Sequence, residues 1–242
     1  MISVTFALPQ ESRAFISGLS AVRPAALAHS VRGRLGGQEV LVAHTGVGAA
    51  CALTRVSELL RLYQPKLLLS AGFAGGLDPR LGVGSLLVAT NGPTPRGLAS
   101  CQSWAATRAA PNPPVFFGPL TTHHVVVESV ADKARLALES GALGVDMESA
   151  VLANVCRQAG LEFLAVRVIS DSAEMALPVP MAHWFDMERQ CPKALALAAY
   201  LLRQPSRIAP FTRFVRGLGP ARRALGAALL ELLAEGGLAE GG

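Results

Sequence analysis

Short apolar runs rich in β-branched residues alternate along the chain with longer stretches whose apolar positions recur every three or four residues. The short runs predict strands over residues 3–8, 39–45, 66–71, 85–90, 125–127 and 163–170. Several are apolar at successive rather than alternate positions, as in strands covered by helices on both faces. Helices are predicted over 11–19, 49–63, 131–140, 149–159 and 192–203. In the fourth, Val151, Leu152, Val155, Cys156 and Ala159 make one apolar stripe. This alternation predicts an α/β domain with a mixed central β-sheet flanked by helices. Two regions break it. Residues 91–114, rich in proline, alanine and small polar residues, read as a long loop. Residues 205–242 read as a helical appendage, interrupted at Gly219 and Pro220 and resuming as an amphipathic helix over 221–234. The expected division is therefore a main domain over 1–205 and a helical, basic C-terminal extension over 206–242.

The chain of 242 residues is 51% apolar and 16% charged, enough to bury a core and too apolar for a disordered chain. No apolar run reaches the roughly 18–20 residues of a membrane-spanning helix. The first residues begin as a strand and lack the features of a signal peptide. The four cysteines are widely spaced, with no CxxC pair, so a reduced, cytoplasmic protein without structural zinc is expected. Net charge is +5, and six arginines (Arg203, Arg207, Arg213, Arg216, Arg222, Arg223) precede three glutamates in the tail. Basic patches attract nucleic acid or anionic lipid, but aromatic interleaving is sparse and no nucleic-acid partner is expected.

In α/β sheets ligands gather at the carboxyl ends of strands. There the sequence puts ALPQE (7–11), HTGVG (44–48), SAGFAGG (70–76), GVDMES (144–149) and, ending LEFLAVRVIS, Asp171. Taken singly, each has a bland reading. The glycines around Val47 can form a tight turn or cradle an anion at a helix start. Glu11 and Glu148 can simply favour the positive ends of helices, and Asp171 can cap one. Arg167 is harder to dismiss, because it interrupts an apolar strand and a buried guanidinium needs a carboxylate. Glu148 and Glu11 are the partners expected for it. The first turn lacks glycine, which argues against a dinucleotide cofactor. His123 and His124 have no evident third metal ligand, so no metal is expected.

Together, ALPQE, HTGVG, SAGFAGGL with LGVGSLLVAT, GALGVDMESA and VRVISD resemble the purine nucleoside phosphorylase and methylthioadenosine/S-adenosylhomocysteine nucleosidase superfamily over about residues 2–175. The resemblance implies a nucleoside phosphorylase-like fold, a homo-oligomer, and cleavage of the N-glycosidic bond of a purine nucleoside without a cofactor. It makes Asp171 the acid at the purine N7, with Ser170 orienting it. It gives Glu148 the ribose hydroxyls, with Met147 packed on the sugar, and Gly72, Phe73, Ala74 and Gly75 the pocket lining. Val47 and His124 fall at further substrate-binding positions. The chemistry is coherent, because cleavage passes through an oxocarbenium-like sugar and the leaving purine must gain a proton. An aspartic acid that donates near neutral pH would need an apolar pocket.

The resemblance also implies water as the nucleophile. In the nucleosidases a first-loop glutamate, the sugar-binding glutamate and an arginine hold it, and Glu11, Glu148 and Arg167 match. The arginine by which hexameric phosphorylases bind phosphate is absent from Leu69, Ser70 and Ala71. Arg13 and the glycine turns leave phosphate open as a co-substrate. Phe73, Val126 and His124 depart from the nucleosidase pattern and put methylthioadenosine itself in doubt. DSAEMALPVPM (171–181) with the arginine-rich tail is similar to the hopanoid-associated branch, which implies a lipid-linked adenosine and a weak membrane-surface contact through the tail. The competing expectation is that Phe211, Phe214, Leu218 and the later leucines pack on the domain or on another subunit. A non-catalytic nucleoside-binding module is the alternative of another class.

Overall fold

A computed structural model describes residues 1–92, 94–108 and 113–235. The elements run β1 (Ile2–Phe6), α1 (Pro9–Ile16), β2 (Ser20–Pro24), β3 (Ser30–Leu35), β4 (Gln38–His44), α2 (Ala49–Leu62), β5 (Leu67–Gly76), β6 (Leu86–Ala89) and α3 (Pro95–Thr107). They continue as β7 (Val115–Gly118), β8 (Leu120–Thr122), α4 (Val130–Ser140), β9 (Gly144–Asp146), α5 (Ser149–Gln158) and β10 (Glu162–Asp171). The chain then forms β11 (Phe185–Asp186), β12 (Cys191–Pro192), α6 (Ala194–Arg203) and α7 (Ile208–Glu235).

Among the described residues one mixed sheet runs β2-β3-β4-β1-β5-β10-β6-β7, with β9 joined to β5 and β8 to β9. Its centre, β4, β1, β5 and β10, is parallel. Helices cover both faces, which explains the continuous apolar runs. Along β10, Leu164, Val166 and Val168 face a core with α1, α3 and α7, while Phe163, Ala165 and Ile169 face a second core with α2 and α5. The expected mixed sheet flanked by helices, with a C-terminal helix, is the observed architecture.

Four local expectations are corrected. Residues 125–127 are not a strand; β8 ends at Thr122, and the valines have no ladder partner. Two of them, Val126 and Val127, are instead half-buried in the wall of a cavity. Within the expected loop 91–114, residues 95–107 form α3, begun by Pro95 after Thr94. Proline is favoured at the first helical turn, and Cys101 and Trp104 turn into the core. Residues 93 and 109–112 of that loop lie outside the described residues, as do 236–242. The strands β2, β3, β7, β8 and β9 were not expected at all. Finally, α7 runs unbroken through Gly219 and Pro220. A proline inside a helix costs about 3 kcal/mol, but Ala221, Leu225, Ala228, Leu229, Leu232 and Leu233 are buried beyond it and outweigh that cost. The helix that the pattern placed at 221–234 is therefore the continuation of α7, seated on the sheet.

Candidate active site

The parallel centre of the sheet sends β1, β4, β5 and β10 toward one edge, where Glu11, the 44–48 turn, Gly72–Gly76 and Asp171 assemble. The register fixes who meets whom. On β5 and β10, Gly72 lies opposite Arg167 and Gly75 opposite Asp171. Two of the cavities at this edge are lined by the strand-end carboxylates.

The smaller, of about 20 Å³, is lined by Glu11, Glu148, Arg167, Ser70, Gly72 and Phe73 among others. That is room for about one water molecule. Glu11 is buried; its Oε2 accepts from Leu8 N–H at 2.9 Å and its Oε1 from Phe73 N–H at 3.3 Å. Burial pushes its carboxyl above the ordinary carboxylate value, against those hydrogen bonds and the Arg167 charge. Glu148 accepts from Gly48 N–H at 2.6 Å. Burial and the neighbouring Asp146 push it up to about 7, against Gly48 N–H and Arg167. A carboxyl in that range exchanges protons readily at neutral pH.

Arg167 is buried, as its strand position predicts, but its carboxylate partner is neither Glu11 nor Glu148. It is Asp146, the last residue of β9, at 2.9 Å from Nε and 2.8 Å from Nη2. The other guanidinium protons go to the Ser70 carbonyl, the Ser70 hydroxyl and the Ser149 hydroxyl, each at 2.8 Å, and to the Val166 carbonyl at 3.1 Å. Arg167 is thereby locked, and its charge acts on Glu11 and Glu148 across space. Asp146 and Ser149 flank Glu148 in the GVDMES motif, and the unpaired-looking Arg167 was the signal that could have singled out Asp146.

The larger cavity, about 190 Å³, is lined by Glu11, Val47, Phe73, Ala74, Gly75, Met147, Glu148, Ser170 and Asp171, and hence by most of the expected substrate-binding residues. Its outer wall comes from residues that sequence reasoning did not assign to a site: Leu177, Met181, Trp184, Phe214 and Leu218 join Val126 there. Gly72 lines the smaller cavity instead. His124 lines neither; it is exposed and stacks on His123, ring centroids 4.6 Å apart. Among the described residues no group of three or more His, Cys, Asp or Glu side chains gathers as a metal site.

Asp171 is not surrounded by apolar groups alone. Its Oδ1 accepts from Ser170 Oγ at 2.5 Å, and its Oδ2 is ion-paired with the fully buried Lys133 of α4. No sequence motif marked that lysine. The turn after β4 is equally occupied. Gly46 and Gly48 take left-handed backbone conformations (φ 82° and 96°) that favour glycine. The Val47 N–H donates to Gln190 Oε1 at 2.6 Å, and the Gly48 N–H is held by Glu148. These donors are spent on the protein, so the turn is not an open anion cradle.

A model of the phosphorylase superfamily matches residues 2–204. A 5′-methylthioadenosine/S-adenosylhomocysteine nucleosidase of Shewanella loihica is 24% identical over 173 residues, 62% of this chain and 75% of that protein. One of Staphylococcus haemolyticus is 24% identical over 199 residues, 72% and 87% respectively. Among solved structures, the futalosine hydrolase of Helicobacter pylori superimposes with a TM-score of 0.72 at 18% identity, covering 97% of both chains. The Neisseria meningitidis 5′-methylthioadenosine/S-adenosylhomocysteine nucleosidase in complex with methylthio-immucillin-A gives 0.73 at 18%, covering 96% of this chain and 98% of that one. With the sheet order, the strand-end carboxylates and a family match over most of its length, the chain belongs to the phosphorylase superfamily.

Proposed function

We propose that this protein cleaves the N-glycosidic bond of a 5′-substituted purine nucleoside, releasing the base with water as the nucleophile. The observation that carries this reading is the pair of adjoining cavities: a water-sized one between Glu11, Glu148 and Arg167, and a larger one lined by Met147, Ser170 and Asp171. As the bond from N9 to C1′ breaks, charge develops on the sugar as an oxocarbenium ion. Water adds to C1′ and gives its proton to Glu11, whose raised affinity for protons suits a base. Glu148 holds the ribose hydroxyls and Met147 packs on the sugar. N7 of the leaving purine takes its proton from Asp171, which Ser170 orients and to which the Lys133 ammonium passes a proton across their ion pair. Phosphate as co-substrate is the rival, but Arg13 is exposed on α1 and Val47 and Gly48 have no free donors for an anion. The names borne by the nucleosidases and futalosine hydrolase above support the hydrolytic reading.

The test is adenine release from a panel of 5′-substituted adenosines, with and without phosphate. Adenine and free sugar in the absence of phosphate are expected. Release only with phosphate would make it a phosphorylase and take Glu11 out of the base role; no release from any of them would leave a nucleoside-binding module.

The identity of the 5′ group rests on a second observation. Val126, Leu177, Met181, Trp184, Phe214 and Leu218 give the outer cavity an apolar wall, which suits a bulky apolar substituent such as that of a lipid-linked, adenosylhopane-like nucleoside. Between Arg189 and Leu230 there are basic residues and no acidic one, and α6 buries no side chain, leaving Leu195 89% and Leu202 81% exposed. No helix among the described residues is long and apolar enough to cross a membrane. A cytoplasmic homo-oligomer that touches an anionic membrane surface through α6 fits these features. Pelleting with anionic vesicles, lost on replacing Leu195 and Leu202 by Glu, is the expected result; sedimentation velocity reads the oligomer.

A further inference from the structure

We propose that Lys133 is a positioning residue for the reaction, fixing the Asp171 carboxylate and tying it to the loop that walls the pocket. The inference rests on Asp171 acting at the base, as argued above. An ammonium group is among the least tolerable groups to bury without partners, yet Lys133 is fully buried. Its three protons have three acceptors: Asp171 Oδ2, the Ser172 carbonyl at 2.8 Å and the Met175 carbonyl at 2.8 Å. One lysine thus grips both the strand-end carboxylate and the backbone that leaves it.

The surrounding bonds make this a clamp rather than an isolated pair. Five residues before Lys133, Glu128 holds the far part of the same loop: its carbonyl accepts from Leu177 N–H at 2.9 Å and its Oε1 from Met181 N–H at 2.7 Å. Leu177 and Met181 are wall residues of the larger cavity. The carboxylate itself is held on three sides. Ser170 Oγ donates to Oδ1, Lys133 takes Oδ2, and β5 passes so close that a Cβ on Gly75 would sit 3.4 Å from Oδ2. Removing the lysine frees one of these sides and releases the carbonyls of Ser172 and Met175 together. The acid and the apolar wall are therefore expected to lose their alignment as a unit, while Glu11, Glu148 and Arg167 keep their own partners.

A lysine that only filled space would give a different result from one that aims Asp171, and a mutant cycle separates them. The four proteins are wild type, Lys133→Met, Asp171→Asn and the double variant. Each is read by kcat and KM for adenine release, by calorimetric binding of adenine, and by thermal melting. Lys133→Met is expected to lower kcat by about 100-fold or more, as a misplaced catalytic group does, with KM changed by no more than about threefold. In the Asp171→Asn background the same substitution should cost less than about threefold, because residues acting as one unit are not additive. Adenine affinity should follow the same pattern. If Lys133→Met alone fails to fold, the double variant still decides the matter, since removing both charges leaves no buried ion unpaired; it must then match Asp171→Asn in rate. A folded Lys133→Met with kcat within about tenfold of wild type would overturn the proposal. So would a double variant slower than Asp171→Asn by the full single-mutant loss, because the lysine would then act independently of Asp171. Wild type that neither releases nor binds adenine would instead sink the glycosidic reading itself, and the positioning role with it.

Discussion

Arg167 was the most informative single residue in the chain, because a guanidinium in an apolar strand demands a partner before any function is considered. The partner is Asp146, and the pair is nearly inaccessible, with side chains 3% and 1% exposed. Removing one member of such a pair leaves an uncompensated buried charge, at a cost of about 3–5 kcal/mol. Asp146→Ala is therefore expected to melt far below wild type, and to melt higher when Arg167→Met is added; an unchanged melting temperature in Asp146→Ala would mean that the serines alone satisfy the guanidinium. Glu148 offers a prediction of a different kind. Its carboxyl lies near 7 in the fold against an ordinary 4.5, so the folded state holds a proton that the unfolded chain gives up. This contribution is fully present below about 4.5 and is lost as pH rises through about 7. Wild type should lose up to about 1–3 kcal/mol of stability over that window, and Glu148→Gln should lose clearly less. Denaturant midpoints measured at pH 5 and pH 8 decide it, and parallel pH dependence in the two proteins would show that another group titrates.

At the scale of elements, what was legible is what depends on local pattern. Strands β1, β4 and β10 and the helices at residues 49–62, 130–140, 149–158 and 194–203 stand where apolar periodicity put them, within a residue or two, while β5 runs on to Gly76, past its expected end at residue 71. What was not legible depends on distant partners. The strands β2 and β3 are short and carry charged residues such as Arg23, Arg32 and Arg34; they are strands because β3 pairs with β4 and β2 with β3. Three-residue β8 and β9 exist through pairing with each other and with β5. Prolines and small residues hid α3, whose buried residues are Gly97, Cys101 and Trp104, with Leu98 and Ala105 packed beside them. The site shows the same split. The motifs put Glu11, Glu148 and Asp171 at the sheet edge where the cavities open, whereas Lys133, Trp184, Phe214 and Leu218 come there from other parts of the fold. Pattern also missed how tightly α7 meets α1. A Cβ on Gly226 would lie 2.6 Å from the Ala14 Cβ and 2.8 Å from the Phe15 backbone nitrogen. Helix propensity alone would make Gly226→Ala stabilising by about 1 kcal/mol. Because one atom struck is backbone, overpacking of about 1–3 kcal/mol should win. A lower melting temperature is expected, and a higher one would show that α7 can slide away from α1.

For the molecule as a whole, the consequence lies in the relation between the C-terminal segment and the rest. A chain that divided at residue 205 could lose its tail and keep its fold, and truncation would then be a clean test of membrane contact. The packing argues otherwise. Leu225, Leu229, Leu232 and Leu233 share a core with Ile2, Val4, Phe6 and Leu69 of β1 and β5. Each buried leucine contributes about 1.5–3 kcal/mol, so four of them together rival the about 5–15 kcal/mol by which a whole domain is stable. Cutting them away would also bare one face of the central sheet and strip Phe214 and Leu218 from the cavity wall. Residues 1–205 alone are therefore expected to be insoluble or to lack cooperative unfolding, while the full chain melts in one transition. Soluble, cooperatively folded 1–205 would show that the sheet closes without α7 and would restore the tail as a separable extension. Until that is measured, surface substitutions at Leu195 and Leu202 probe membrane contact better than truncation, because both side chains lie outside the core. Their loss should leave the melting curve unmoved while vesicle binding falls.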